Sequence, residues 1–152
     1  MLKTIDNRLN AEVLGVIRAM GHGDTLVLSD TNFPADSIAR STVTGKLLRM
    51  ENLSAGQAAQ AILSLLPLDT FVPDHAARME IVGAPDDIPA VQEEVQAEID
   101  YAEGRARPMV SIERFAFYEA AKTAYAVVQT GERRFYGCFC LRKGVIPPDG
   151  AI

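Results

Sequence analysis

The sequence predicts a single α/β domain over residues 1–152. Three observations support this prediction. Helical apolar patterns alternate with short apolar runs typical of strands, which indicates helices interleaved with a sheet. We find neither an internal repeat nor a low-complexity linker in the chain. A chain of 152 residues is of the usual size for one domain and can bury a sizeable core.

The first predicted helix begins after Asn10, a residue type favoured as an N-cap, and Gly21 is expected to end it in the left-handed conformation. A short apolar run at 25–28 predicts a buried strand, followed by a polar loop at 29–34. A weaker strand is expected within 43–50. Helical spacing predicts that the first helix buries Val13, Leu14, Ile17 and Met20.

The second predicted helix begins at a capping box formed by Ser54 and Gln57, and Pro67 ends it. The segment 76–82 predicts a strand whose apolar and charged residues alternate. The buried stripe of the predicted helix is formed by Ala58, Ile62, Leu65 and Leu66. In the predicted strand, the apolar residues Met79 and Ile81 alternate with the charged residues Arg78 and Glu80.

A third helix is predicted to open at Pro89, and a fourth covers about 114–124. The segments 125–130 and 136–141 predict two final strands, and the residues between them, 131–134, predict a hairpin-like turn. Apolar spacing predicts that the third helix buries one face, formed by Val91, Val95 and Ile99.

Composition and charge exclude several classes of function. The formal net charge is −5 and no basic cluster occurs, which disfavours binding to nucleic acid. The N-terminal residues have no long apolar core and no small-residue cleavage site, so we expect no signal peptide, and no apolar run approaches the ~20 residues needed to span a membrane. Cys138 and Cys140 are too close together to staple the fold, and free thiols are typical of a cytoplasmic protein.

His22 is the strongest candidate for proton transfer. It lies between Gly21 and Gly23, after a predicted helix and before a predicted strand. Flanking glycines let the backbone approach a ligand closely, and a helix C-terminus favours a nearby positive charge. Histidine titrates near neutral pH and therefore suits acid–base catalysis. The alternative is a structural histidine in a turn.

Asp30 follows the first predicted strand, where ligands gather in open α/β sheets. It can hold a substrate hydroxyl or orient His22. The alternative is an Asx turn that only shapes the loop before Pro34.

Arg114 stands in the predicted first turn of the fourth helix, where a positive charge opposes the helix dipole. Such a break with a local rule suggests a functional position. The alternative is a surface arginine paired with Glu113 or Glu119. The neighbouring aromatic residues, Phe115, Phe117 and Tyr118, are expected to belong to the core rather than to a sugar platform.

Tyr136, Gly137 and Cys138 open the last predicted strand. A tyrosine hydroxyl can donate to a substrate oxygen, and glycine permits close approach of the backbone. Alternation along a strand places the sulfur atoms of Cys138 and Cys140 on one face. Because no further cysteine or histidine cluster accompanies this pair, we expect two buried inert thiols and no metal site.

The chain resembles the RbsD/FucU family over nearly its whole length, and several spaced motifs match in the right order. The GHGD and RFAFYE segments are more similar to the fucose type of the family than to the ribose type. The matching segments are MLKTI at 1–5, MGHGD at 20–24, SD at 29–30, FPA at 33–35, RFAFYE at 114–119, TGER at 130–133, YG at 136–137 and KGV at 143–145.

The resemblance implies a mixed sheet flanked by helices and an enzyme that interconverts the ring anomers of a monosaccharide, L-fucose or a related sugar, without a cofactor. It implies that His22 is the proton donor, that Asp30 and Arg114 bind the sugar, and that Tyr136 and Gly137 belong to the sugar-contacting segment. It also implies a homo-oligomer, a ring-shaped decamer with sites at subunit boundaries.

The chain departs from the family at three positions near the expected sugar site. The family usually has asparagine in place of Cys138, and its fucose type often has histidines in place of Asn32 and Asp36. These departures leave open which sugar is the substrate. The residues also do not identify the general base. Two alternative functions stay open, that of a ribose pyranase and that of a non-catalytic sugar-binding or transport-accessory protein.

Overall fold

The computed structural model describes residues 2–148 and Gly150, so the remaining residues of the predicted domain, Met1, Asp149, Ala151 and Ile152, lie outside the described part. Helices and strands alternate along the described chain in the order α1 (Ala11–Ala19), β1 (Thr25–Ser29), α2 (Ala35–Ala39), β2 (Leu47–Met50), α3 (Ala55–Leu63), β3 (Ala76–Met79), α4 (Ala90–Ala102), β4 (Val110–Ile112), α5 (Arg114–Lys122), β5 (Ala126–Thr130) and β6 (Phe139–Arg142).

The strands form one six-stranded sheet in the order β2-β5-β1-β6-β3-β4. β5 is parallel to β1 and β2, and β3 is parallel to β4. β6 is antiparallel to its two neighbours, β1 and β3, so the sheet is mixed. The α/β class and the mixed sheet flanked by helices are therefore confirmed.

The sheet separates two apolar cores, and β1 contributes to both. Leu26 and Leu28 face the core that α1, α3 and α4 cover, whereas Val27 faces the core that α2 and α5 cover. Successive residues of a strand point to opposite faces, and both faces of β1 are covered, so the strand reads as an unbroken apolar run.

The predicted helix starts are confirmed by their hydrogen bonds. The side chain of Asn10 accepts from the amide of Val13 at 3.0 Å. Ser54 accepts from the amide of Gln57 at 3.3 Å, and the Gln57 side chain accepts from the Ser54 amide at 3.0 Å. These bonds satisfy amides that have no partner within the helix.

The predicted end of the first helix is wrong. Gly23, with φ +85°, adopts the left-handed conformation instead of Gly21. Lys143 explains the difference, because its ammonium group donates to the backbone carbonyls of Ile17 and Met20. These bonds satisfy the carbonyls that a left-handed glycine would otherwise help to cap.

The predicted hairpin between the last two strands is also wrong. β5 and β6 do not pair, because β1 lies between them in the sheet. The connecting loop instead crosses the carboxyl end of β1, where the carbonyl of Glu132 accepts from the amide of Thr31 at 2.9 Å. This crossing places the loop beside Asp30, at the end of β1.

Several boundaries differ from the sequence-based expectations. The short elements α2 and β4 were not predicted, and α5 ends at Lys122 instead of Ala124. β3 ends at Met79, and the expected alternation fails because Arg78 is buried as well. β6 begins at Phe139, so the predicted strand residues 136–138 lie in the preceding loop.

Candidate active site

Four of the predicted site residues meet in a pocket at the carboxyl end of β1. The pocket has a volume of about 360 Å³ and is open to solvent on one side. The predicted residues that line it are Asp30, Arg114, Tyr136 and Cys138, and they are joined by Asn32, Phe33, Met79, Tyr118 and Phe135. Residues far apart in the chain thus converge where α/β sheets bind ligands.

Asp30 fixes the backbone around this pocket. Its side chain is buried, and the residue is only 4% exposed. Oδ1 accepts from the amides of Asn32 and Phe33, each at 2.9 Å, which confirms the Asx turn. Oδ2 accepts from the amide of Gly137 at 3.3 Å and so ties the crossing loop to the end of β1. The turn and the pocket therefore depend on the same carboxylate.

Gly137 is required where it lies. A Cβ atom there would come within 2.8 Å of Cγ of Glu132 and 3.4 Å of Cβ of Asp30, so a larger residue would push the loop away from Asp30. The preceding residue, Tyr136, has φ +62°, a conformation that side-chain-bearing residues rarely adopt. Its hydroxyl oxygen accepts from the amide of Val82 at 3.2 Å, which leaves the hydroxyl proton free to be donated.

Arg114 lies in the first turn of α5, as predicted. Glu113 supplies the N-cap by accepting from the amides of Phe115 and Ala116. Among the described residues Arg114 forms no ion pair, so pairing with Glu113 or Glu119 is not observed. Its Nε donates to the hydroxyl of Tyr118 at 3.1 Å, and the guanidinium lies 5.6 Å from the centre of that ring.

The aromatic residues near Arg114 divide into core and pocket. Phe117 is fully buried, as expected for a core aromatic. Tyr118 is partly buried and lines the pocket, and Phe115 is 68% exposed. The expectation of three core aromatics is therefore confirmed only for Phe117. Helical geometry explains this, because successive residues of α5 point about 100° apart and so meet different surroundings.

The two cysteines are free, buried and on the same face of the sheet, as predicted. Burial raises the pKa of the Cys138 thiol well above its usual value and that of Cys140 to about 12. Both therefore stay protonated near neutral pH. Within the described residues, no cluster of three or more histidine, cysteine or acidic side chains is arranged to hold a metal ion.

His22 lies at the other end of β1. The loop that carries it is held by the Gly21 amide, which donates to the carboxylate of Asp24 at 2.7 Å, and by the Gly23 amide, which donates to the carbonyl of Lys143 at 2.8 Å. β1 spans about 13 Å from its first to its last residue, and His22 precedes it while Asp30 follows it. The structure therefore does not bring His22 to the pocket of its own chain.

The partner of His22 is Asp69, a residue that the sequence analysis missed. Nε2 of His22 lies 3.1 Å from Oδ2 of Asp69, and the two side chains are 46% and 5% exposed. Phe71 stands edge-on to the imidazole, with ring centres 5.7 Å apart. Within one chain Asp30 does not orient His22, because the carboxylate beside the imidazole is that of Asp69.

Burial of Asp69 opposes its ionisation, but hydrogen bonds from His22 and from the amide of Phe71 outweigh burial and lower its pKa. The carboxylate is thus charged beside the imidazole near neutral pH. Its position depends on long-range bonds such as that from the Asp69 amide to the carbonyl of Arg142, at 3.0 Å. No local signal in the sequence marks such a contact.

The positions that depart from the family pattern have different surroundings. Asn32 is exposed and lines the pocket. Asp36 is also exposed, but it does not line the pocket and pairs with Arg40 at 2.8 Å. Cys138 lies in the pocket wall, beside the carboxyl group of Asp30. Asn32 and Cys138 can therefore affect a bound ligand directly.

Comparison with known proteins identifies the family of the chain. The model of the RbsD / FucU transport protein family matches residues 3–146. The human protein fucose mutarotase is 45% identical over 149 residues, which cover 95% of this chain and 94% of that protein. The structure of the Streptococcus pneumoniae fucose mutarotase in complex with L-fucose superposes with a TM-score of 0.85 at 34% identity, covering 96% of this chain and all of that one.

A further solved structure, described as that of a candidate sugar-binding protein, superposes with a TM-score of 0.95 at 65% identity, and the superposition covers 97% of each chain.

Among the described residues, no helix is long and apolar enough to cross a membrane.

Proposed function

Because the chain belongs to the RbsD / FucU family, we propose that it is an isomerase that interconverts the ring anomers of L-fucose or a closely related monosaccharide. The observation that carries this proposal is the pocket at the carboxyl end of β1. It gathers Asp30, Arg114 and Tyr136, the positions that the resemblance assigns to sugar binding. We infer that residues 1–152 form one domain of this family.

The pocket suits a small sugar in size and chemistry. Its volume of about 360 Å³ lies within the range of small-ligand sites. Arg114 offers N–H donors, and the hydroxyl of Tyr136 has a free proton, so both can donate to sugar oxygens. Phe33, Met79 and Phe135 supply apolar walls for the C–H groups of the ring and for a methyl group such as that of a deoxyhexose.

Anomer exchange needs only proton transfer. The C1 hydroxyl loses a proton while the ring oxygen gains one, the ring opens to an aldehyde, and rotation about one bond lets it close on the other face. We assign protonation of the ring oxygen to His22 and the orientation of the imidazole to Asp69, whose carboxylate lies 3.1 Å from Nε2. The proton of the C1 hydroxyl passes to a water molecule or to the Tyr136 hydroxyl, and Tyr136 can accept it only by passing its own proton on.

The separation of His22 from the pocket supports a site shared between copies of the chain. We propose a homo-oligomer, the decamer that the resemblance implies, in which His22 of one copy reaches the pocket of the next. Contact between the two different ends of β1 is heterologous, and such contacts form a ring where the rotation between successive copies closes. His22 and Phe71 are suitably exposed for it. The two free thiols support a cytoplasmic location.

The direct test is saturation-transfer NMR of anomer exchange across a panel of monosaccharides, with protein and without it. We expect the chain to accelerate exchange of L-fucose more than that of D-ribose. Faster exchange of D-ribose would reassign it as a ribose pyranase. Binding of sugars without acceleration of any exchange would favour the non-catalytic sugar-binding alternative. Light scattering that reports a monomer at micromolar concentration would contradict the shared site.

A further inference from the structure

Gln92 is a fully buried polar residue on α4, which otherwise buries only apolar side chains against the sheet. A buried amide is costly unless its donors and acceptor are all satisfied. The position therefore requires an explanation, which its hydrogen bonds provide.

Each end of the Gln92 amide has partners of the matching type. Nε2 donates to the carbonyls of Met79 at 2.8 Å and Tyr136 at 3.0 Å, and Oε1 accepts from Nη1 of Arg78 at 3.2 Å. Arginine only donates and a carbonyl only accepts, so the orientation of the amide is fixed. Both carbonyls belong to residues that line the pocket.

The peptide unit between Tyr136 and Gly137 is consequently held from both sides. Its carbonyl accepts from Gln92, and its N–H donates to Asp30 at 3.3 Å. This peptide follows the left-handed residue Tyr136, whose φ of +62° persists only where surrounding contacts enforce it. Rotation of the peptide plane would break both bonds, and without them the left-handed conformation that directs the Tyr136 side chain would be less firmly enforced.

We propose that Gln92 is a positioning residue for sugar binding, which acts by fixing the 136–137 peptide and hence the direction of the Tyr136 hydroxyl. This proposal rests on the proposed function. Gln92 does not touch the sugar in this account. It makes the pocket complementary to the sugar before the sugar arrives, and its loss should weaken binding more than it slows proton transfer.

The test compares Gln92→Met with Gln96→Met. Gln96 lies one turn further along α4 and is also hydrogen-bonded to backbone, through the carbonyl of Arg107 and the amide of Met109, each at 2.8 Å. It has no contact with the 136–137 peptide among the described bonds. Both variants lose backbone hydrogen bonds of one glutamine, so a loss of stability alone affects both.

We expect Gln92→Met to raise KM for L-fucose about threefold to tenfold while kcat stays within about twofold. Gln96→Met should leave both constants within about twofold of wild type at a temperature where both variants are folded. Equal changes in KM for the two variants would show that Gln92 is merely structural. If wild type accelerates no exchange, the proposed function itself fails.

If Gln92→Met does not fold, Gln92→Glu replaces it. The carboxylate keeps the acceptor for Arg78 but cannot donate to Tyr136 while ionised. We again expect a raised KM with a nearly unchanged kcat, and an unchanged KM in this variant would overturn the proposal.

Discussion

The two ends of β1 differ in how far their polar side chains are exposed and in what those side chains bind. At the carboxyl end Asp30 is 4% exposed, and its oxygens are occupied by three backbone amides, so it shapes a rigid pocket. At the amino end the side chain of His22 is 46% exposed and has one charged partner, the buried Asp69. One end holds an open pocket, and the other presents an exposed imidazole.

In the proposed shared site, neither end of β1 alone is sufficient for the reaction. Among the described residues, those lining the pocket at the carboxyl end include no histidine, and His22 precedes the other end of the strand. If the amino end supplies proton transfer and the carboxyl end binds the sugar, substitutions at the amino end should lower kcat and substitutions at the carboxyl end should alter sugar binding.

Replacement of His22 should have the largest effect. We expect His22→Ala to slow L-fucose exchange about 10²–10⁴-fold, because general acid catalysis contributes that much, while sugar affinity changes little. Saturation-transfer NMR measures the rate, and circular dichroism checks that the variant is folded. Undiminished exchange would remove His22 from the mechanism and with it the contrast between the two ends.

Replacement of Asp69 should have the next largest effect. We expect Asp69→Asn to lower kcat about tenfold to a hundredfold with little change in KM, since the neutral amide binds the imidazole more weakly and can favour the wrong tautomer. Asp74→Asn is the matched control, because Asp74 lies in the same segment but pairs with Arg142. Equal losses in both variants would argue against a specific role for Asp69.

Replacement of Cys138, at the carboxyl end, should have a smaller effect, and it should be a gain in sugar affinity instead of a loss of rate. Asparagine offers a sugar hydroxyl both a donor and an acceptor, whereas a thiol offers only weak versions of each. One neutral hydrogen bond contributes roughly 0.5–1.5 kcal/mol. We therefore expect Cys138→Asn to bind L-fucose several-fold more tightly, without added metal.

Titration of L-fucose binding measures the effect of Cys138→Asn, and Cys140→Ala, on the same face outside the pocket, is its control. If Cys138→Asn binds no better and chelators abolish wild-type activity, the two cysteines must be reconsidered as metal ligands.

Local signals in the sequence predicted much of the fold. The N-caps at Asn10 and Ser54 and the buried strand at 25–28 were predictable because they depend on neighbouring residues. The hairpin predicted after β5 was wrong, and local signals could not exclude it, because the order of strands in a sheet depends on which distant strands pair. The prediction that Gly21 ends the first helix in the left-handed conformation was wrong, because the distant Lys143 caps that helix.

The candidate site divides in the same way. Asp30, Arg114, Tyr136 and Cys138 were found from residue type and motif, and the structure brings them together. Asp69 and Gln92 were missed, because each is distinguished only by partners distant in the sequence, His22 for one and the 136–137 peptide for the other.

The most direct test of the account mixes two defective chains. His22→Ala keeps an intact pocket, Arg114→Ala keeps an intact His22, and each alone should exchange L-fucose poorly. If His22 of one copy serves the pocket of the next, oligomers reassembled from equal amounts should regain about one quarter of wild-type activity, because one site in four pairs the two intact halves. Each variant reassembled alone is the control. No gain on mixing, from oligomers shown to contain both chains, would contradict a site shared between copies.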